Sequence, residues 1–382
     1  MSPLRVVDLF AGAGGLSLGV ERAGEKVGGA KVVLAVEASA KAARTYRANH
    51  PHTVMLEETI DRDWNVVERL EEHLDDPACD LLVGGPPCQG WSSLASRGDA
   101  ARRDGLNACV GYFLAQVERL MPPAVVMENV RGLAVKDKGR HLRDLLAGLE
   151  RLGYRAWSHD VRSADYGVPQ LRHRVFVVAV QQDLEVEYEL AATHQRPVDG
   201  QRLDLGQWLP GWLTVWDAIG DLPSIPAGGR ARAYGAGPTT GFQQAMRGDC
   251  GELTWHEAPN HSEKIRRVLR ALKEQGASRA PIEDAVGLTS GFHNTYCRLR
   301  SDEPATAVTS SVGRVSSGRY AHPFDDRALT PREAARLQTF PDDYRWKAER
   351  WHVYLQIGNA VPPVLAEAVL TPLLERLVPS LS

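Results

Sequence analysis

LRVVDLFAGAGG, residues 4–15, is the stretch that decides the fold. Leu4 to Leu9, with Leu4, Val6, Val7 and Leu9, reads as a buried strand. Three glycines at 12, 14 and 15 then let the chain turn tightly into a helix over about 15–24. The same alternation continues downstream. Val32 to Val36 reads as a strand and Ser39 to Asn49 as a helix. Residues 63–74 carry Leu and Val at helical spacing, and Cys79 to Val83 is a third apolar strand. A helix over 108–120 leads to the strand Ala124 to Met127. A helix over 139–152 leads to Tyr154 to Val161, and Arg174 to Val180 closes the series. Apolar strands alternating with helices predict an α/β fold, a mostly parallel sheet with helices on both faces.

The pattern changes after about residue 183. Residues 184–260 are rich in Gly, Pro, Trp and Gln, and Pro226–Gly229 and Tyr234–Gly241 read as loops. A helix is expected over 262–274, with Ser262 as N-cap. Another starts at Thr330, where Pro331 and Glu333 complete a capping box. The last helix, about 362–378, has the apolar spacing to pack back on the first sheet. A discontinuous first domain is therefore predicted, residues 1–183 plus 346–382. A smaller, irregular second domain spans 184–345.

Bulk properties bound the function. The chain has 382 residues and a formal charge of −3. The segment 224–320 nevertheless holds 13 Lys and Arg against 9 Asp and Glu, so the remainder is the acidic part. A basic second domain beside an acidic first one suits a nucleic-acid cleft. The five cysteines, at 79, 88, 109, 250 and 297, are scattered singly. This spacing suits neither a zinc site nor a closed disulfide framework, so no metal and a reducing cytoplasm are expected. No signal peptide and no apolar run of membrane-spanning length are read from the sequence.

The chemistry lies at the strand ends. A glycine turn after the first strand is where α/β sheets bind nucleotide-like ligands. The segment Phe10, Ala11, Gly12, Ala13, Gly14 and Gly15 is the candidate cradle. Glu37, just past the second strand, is placed to accept from two ribose hydroxyls, and Phe10 could stack on the ligand. A dinucleotide fingerprint would need glycine at 17, where this chain has Ser. Glu37 alone leaves nicotinamide dinucleotide and S-adenosyl-L-methionine both open. GGPPCQGWS, residues 84–92, then presents Cys88 at the end of a buried strand, stiffened by two prolines. ENV, residues 128–130, follows the next apolar run. A thiol and a carboxylate on neighbouring strand ends suit attack on a pyrimidine ring. WSSLASRGDAARRDGLN, residues 91–107, has the composition of a flexible loop. Ser92, Ser93, Arg97, Arg102 and Arg103 are its candidate phosphate contacts.

With DLFAGAGG, PPCQGWS and ENV in this order, the chain resembles the DNA (cytosine-5)-methyltransferases of prokaryotic type. PQLRHR (169–174), RALTPREAARLQTFPD (327–342) and QIGNAVPP (356–363) are similar to three further family blocks. The resemblance implies a Rossmann-like sheet that binds S-adenosyl-L-methionine, releasing S-adenosyl-L-homocysteine, and a second domain that recognises DNA. It implies methyl transfer to C5 of a cytosine flipped out of double-stranded DNA, with Cys88 adding to C6. Glu128 would hold N3 and the exocyclic amine, and the N3 contact requires its carboxyl to supply or share a proton. Arg174 would donate to O2, and Arg172 would support the pocket. The two arginines alternate, so on one strand both would point the same way. Ala38, Thr59, Ile60, Pro87, Cys109, Asn359, Ala360 and Val361 would complete the cofactor pocket. Gln89, Thr309 and Ser310 would lie near DNA.

Three positions depart from the family pattern, one of them Leu106, where Arg is frequent before Asn107. Thr59 stands where an acidic residue often meets the adenine, and Cys109 where Leu is frequent. The implied role is a restriction-modification or anti-phage defence enzyme, or a solitary methyltransferase, monomeric on DNA in a bacterial cytoplasm. Methylation of transfer RNA on the same scaffold is the alternative.

Overall fold

The structure is a computed structural model that describes residues 2–87, 100–197, 209–274 and 295–381. Side chains of 100–107, 273 and 274 are outside that description. Two compact units emerge. One comprises 1–162, 173–192 and 361–382, and the other 163–172 and 193–360. Residues 163–172 and 346–360, expected in the first domain, group with the second unit.

The first unit is built on seven strands: β1 (Leu4–Leu9), β2 (Ala30–Val36), β3 (Val54–Leu56), β4 (Leu81–Gly84), β5 (Ala124–Val130), β6 (Tyr154–Arg162) and β8 (His173–Gln181). Their order is β3-β2-β1-β4-β5-β8-β6. The pairs from β3 to β5 are parallel, whereas β8 runs antiparallel to both β5 and β6. The order reverses between β1 and β4, so the carboxyl ends of these strands form the switch point at which α/β sheets take ligands. Leu82, Val125, Met127, Val177 and Ala179 pack in the apolar layer that holds this sheet together.

Helices α1 (Gly15–Val27), α2 (Ala40–Asn49), α3 (Val66–His73), α4 (Ala100–Leu120), α5 (Gly132–Val135) and α6 (Arg140–Arg151) connect the strands. The helix expected over 108–120 starts at Ala100, so Arg102 and Arg103 belong to helix backbone and not to a loop. Ala and Arg are good helix formers, and their propensity prevails over the loop-like polarity of this stretch. α12 (Pro363–Ser380) returns to the first unit against α1. A Cβ on Gly19 would collide with Ala366, so glycine there permits close helix contact. The stretch 350–380 contains an 18-residue window with mean hydropathy 1.4, long and apolar enough to cross a membrane by composition. That corrects the sequence reading. In the fold 61% of this window is buried.

The second unit contains the two-stranded pair β7 (Gln170–Leu171) and β9 (Ala305–Thr306), and helices α7 (Val215–Ile219), α8 (Gly241–Arg247), α9 (Glu263–Glu274), α10 (Pro331–Leu337) and α11 (Arg350–Asn359). Thr330 caps α10 through the expected capping box, with Pro331 at the first turn. Every residue of α10 is buried. Arg327 donates to both oxygens of Glu333 at 2.8 Å. Arg336 bridges Asp342 and Asp221, and Arg332 donates to Asp342 and to the Thr254 carbonyl. The penultimate sequence block is thus a buried ionic frame.

His322 belongs to this frame and makes it sensitive to acid. Its Nδ1 accepts from the amides of Phe324 and Asp325, so the ring is held neutral. Burial pushes its pKa down to about 4, against the pull of Glu333. The unfolded chain, near 6.5, therefore binds the extra proton first, and stability is lost as pH falls from 6.5 towards 4. His322→Asn keeps an acceptor and removes the titration. Wild type is expected to lose roughly 3 kcal/mol relative to this variant between pH 7.5 and 4. Parallel urea midpoints for the two proteins across that range would refute the assignment.

Candidate active site

The carboxyl ends of β1, β2, β4 and β5 bring the site together in the first unit. After β1 the backbone turns through Phe10 at φ 60°, Gly12 at φ 58° and Gly14 at φ 92°. The Ala11 amide donates to Val36 O, and Gly14 N donates to Ala11 O, so the turn is tied to β2 and to itself. The backbone at Gly12 favours glycine, and the space above it is open. Its φ is left-handed, and a Cβ there would meet no protein atom within 4 Å, so the turn presents bare backbone.

Glu37 closes this cradle. Its Oε2 accepts from Gly12 N at 3.0 Å and its Oε1 from Ser39 N at 2.7 Å. Burial raises its pKa, while these two amides pull it back. Each carboxylate oxygen has a second lone pair, so Glu37 keeps capacity for two hydroxyl donors while the backbone fixes its direction. The bare turn and the anchored carboxylate fit an adenosyl ligand. Ile60 is buried, whereas Ala38 and Thr59 are exposed. The two carboxylates beside Thr59 are engaged elsewhere: Glu57 pairs with Arg47, and Glu58 accepts from Trp64 Nε1 at 2.6 Å and Arg69 Nε at 2.9 Å. Neither replaces the acidic residue missing at 59. Cys109 is buried on α4, and burial raises its thiol pKa.

The second half of the site is carried by β4, β5 and β8. A Cβ on Gly84 would lie 2.6 Å from Leu9 O and 2.8 Å from the Phe113 ring, so only glycine fits where β4 ends. Asn129 Nδ2 donates to Pro86 O at 3.2 Å, fastening the proline turn to β5. Glu128 stands beside it, and a Cβ on Gly85 would lie 3.6 Å from Glu128 Oε2. In the antiparallel register Glu128 faces Phe176 and Val130 faces Arg174. Glu128 and Arg174 thus lie diagonally on one sheet face. Arg174 Nε donates to Glu128 Oε1 at 2.7 Å, and both side chains are largely buried. Half-buried Pro87 is the last residue described before Cys88. Cys88, Gln89, Ser92, Ser93 and Arg97 lie outside the described residues.

Arg172 differs from the expectation. β7 ends at Leu171 and β8 begins at His173, so no single strand carries both arginines and the same-face argument fails. Arg172 donates to Val308 O at 2.7 Å and to Gly358 O at 3.0 Å, within the second unit. It binds the 308 segment to the 358 segment. Gln338 reinforces the same junction by donating to Ile357 O and Ala360 O. A Cβ on Gly358 would collide with the Thr309–Ser310 backbone. Thr309 and Ser310 are half-buried, and the Thr309 hydroxyl meets Tyr320 OH at 2.9 Å. Asn359 is exposed and Ala360 half-buried in the second unit, whereas Val361 is buried in the first.

The family model for C-5 cytosine-specific DNA methylases matches residues 4–375. The chain belongs to this family. It is a DNA cytosine-5 methyltransferase. It is 32% identical over 366 residues to the Type II methyltransferase M1.HphI of Haemophilus parahaemolyticus, covering 96% of this chain and 85% of that one. It is 33% identical to M.PspPI of a Psychrobacter species, covering 95% and 77%. Among solved structures, a putative DNA modification methyltransferase encoded within an E. coli prophage superposes with TM-score 0.75 at 26% identity. That match covers 97% of this chain and 98% of the other.

For this DNA cytosine-5 methyltransferase, sequence reasoning missed three polar side chains beneath the cradle. Asp8 and Ser17 are fully buried, as is the Tyr46 ring. Ser17 Oγ donates to Asp8 Oδ2 at 2.6 Å and meets Tyr46 OH at 2.7 Å. The signal was present in Ser17 standing where a dinucleotide fingerprint has glycine.

Proposed function

We propose that this enzyme methylates C5 of a cytosine flipped out of a specific duplex DNA sequence, using S-adenosyl-L-methionine and Cys88 as nucleophile. The observation that carries the reading is the buried Glu128–Arg174 pair beside the proline turn. Cytosine C5 is a weak nucleophile. Addition of the Cys88 thiolate to C6 gives C5 enamine character, with Glu128 holding N3 and the exocyclic amine as charge develops. Arg174 fixes the Glu128 carboxylate and aims its guanidinium at O2. S-adenosyl-L-methionine, held by the glycine turn and Glu37, supplies an electrophilic methyl group when bound. Loss of the C5 proton and expulsion of the thiolate restore the ring.

The second unit reads the target sequence, with Thr309 and Ser310 among its DNA contacts. Ser92, Ser93, Arg97, Arg102 and Arg103 contact phosphate, and Arg172 positions backbone. Type II methyltransferases among the relatives support a restriction-modification role in a bacterial cytoplasm. Bisulfite sequencing of DNA from cells expressing the chain is expected to show complete conversion resistance at one short sequence. Purified enzyme is expected to form a denaturant-stable adduct with that duplex carrying 5-fluorocytosine, because fluorine cannot leave as the proton does. Methyl transfer to transfer RNA and none to DNA would overturn the proposal in favour of an RNA methyltransferase.

A further inference from the structure

The two arms of the cofactor cradle come from different parts of the chain. The glycine turn joins β1 to α1, and Glu37 joins β2 to α2. On the open side they meet where Gly12 N donates to Glu37 Oε2, next to the Ala11 N to Val36 O bond. Beneath, Asp8 at the end of β1, Ser17 in the first turns of α1 and Tyr46 on α2 form a second, wholly buried link. A hydroxyl has one hydrogen. With Asp8 ionised, Ser17 gives its hydrogen to Asp8 Oδ2 at 2.6 Å and Tyr46 donates to Ser17 Oγ at 2.7 Å. The Tyr46 ring is itself held by His50, with ring centroids 4.5 Å apart, and His50 Nδ1 lies 2.9 Å from Glu21 Oε1 on α1.

These bonds close a ring. From Asp8 it runs through Ser17 to Tyr46, along α2 to its N-cap Ser39, from the Ser39 amide to Glu37, and from Glu37 to Gly12 in the turn that follows Asp8. We propose that the Asp8–Ser17–Tyr46 relay is a positioning device for the methyl donor, locking the glycine turn and the Glu37 arm at the separation the adenosyl group needs. The proposal rests on the assignment of this turn as the S-adenosyl-L-methionine site. Asp8 Oδ1 is buried with no hydrogen-bond partner. Burial pushes the Asp8 carboxyl up to about 7, opposed by the Ser17 bond and aided by the charge of Glu37. A carboxyl sharing a proton can act in this relay without a full charge so close to Glu37.

The test is calorimetric binding of S-adenosyl-L-homocysteine to the full chain. Tyr46→Phe and Ser17→Ala are each expected to weaken binding about tenfold, the usual consequence of stranding a buried polar partner. The methyl-transfer kcat at saturating donor should change less than twofold. The double variant should be no weaker than the single variants, because one chain of bonds is broken only once. Asp8→Asn, which still accepts from Ser17, should bind nearly as wild type, whereas Asp8→Ala should not. Glu37→Ala is the control for the site. If wild type fails to bind, or Glu37→Ala binds equally well, the cofactor assignment itself falls. If Glu37→Ala loses binding while Tyr46→Phe and Ser17→Ala bind as wild type, the positioning proposal alone is overturned. Additive losses in the double variant, or a kcat decrease matching the affinity loss, would likewise overturn it.

Discussion

Cys88→Ala is expected to bind S-adenosyl-L-homocysteine within about twofold of wild type and to lose methyl transfer by a factor on the order of 10³ or more. The reason is that neither other thiol of the first unit, Cys79 or Cys109, can substitute. Cys79 precedes β4 at the opposite end of that strand from the proline turn, and burial pushes its thiol up to about 12. Burial also raises the Cys109 thiol. Neither supplies an appreciable thiolate fraction at neutral pH. The measurement is incorporation of labelled methyl into duplex DNA, alongside calorimetry with the cofactor product. Turnover within tenfold of wild type would remove Cys88 from its proposed role.

The second large effect concerns stability. Arg336→Ala is expected to destabilise the second unit by about 3–5 kcal/mol, which lowers its melting temperature by roughly 10 °C. Arg336 donates to Asp342 Oδ1 at 2.9 Å, to Asp342 Oδ2 at 2.6 Å and to Ala218 O at 3.1 Å, and it pairs with Asp221. All three charged side chains are completely inaccessible. Removing the cation strands the buried Asp221 carboxylate and leaves Asp342 to Arg332 and Tyr234, and the penalty lies there more than in the lost attraction. Arg336→Lys keeps the charge but not the planar fork that reaches both partners, so an intermediate loss is expected. A melting temperature within 2 °C of wild type for the alanine variant would refute this account.

The sheet was legible because strands buried on both faces leave unbroken apolar runs. Leu4–Leu9 was read to the residue. The start of α10 was legible for a different reason, since a Thr-Pro-x-Glu capping box is a local device. Three residues, Val54–Leu56, are too few to leave a period, so β3 went unread. Other features depend on residues far apart in sequence. Arg332, Glu333 and Arg336 look like the exposed face of a polar helix. The two arginines are buried because Asp221 and Asp342 wait for them, the former 115 positions from Arg336, and Glu333 is buried against Arg327. Arg172 was read as part of a continuous strand because nothing in PQLRHR announces the break between β7 and β8. Its guanidinium donates to carbonyls 136 and 186 residues away. In the same way the bare turn and Glu37 were legible as a pair, but the polar relay below them needed α2 in place.

The ionic frame also limits how specificity could be exchanged between relatives. A chimera that imports a foreign segment covering 209–300 would cut Asp221 away from Arg336, and Thr254 away from Arg332. Such a graft would leave two buried guanidinium groups sharing Asp342 with part of their bonds unmade, whatever DNA it was meant to read. A transplantable cassette must therefore carry these anchor residues with it, or be joined only at seams that no buried ion pair crosses.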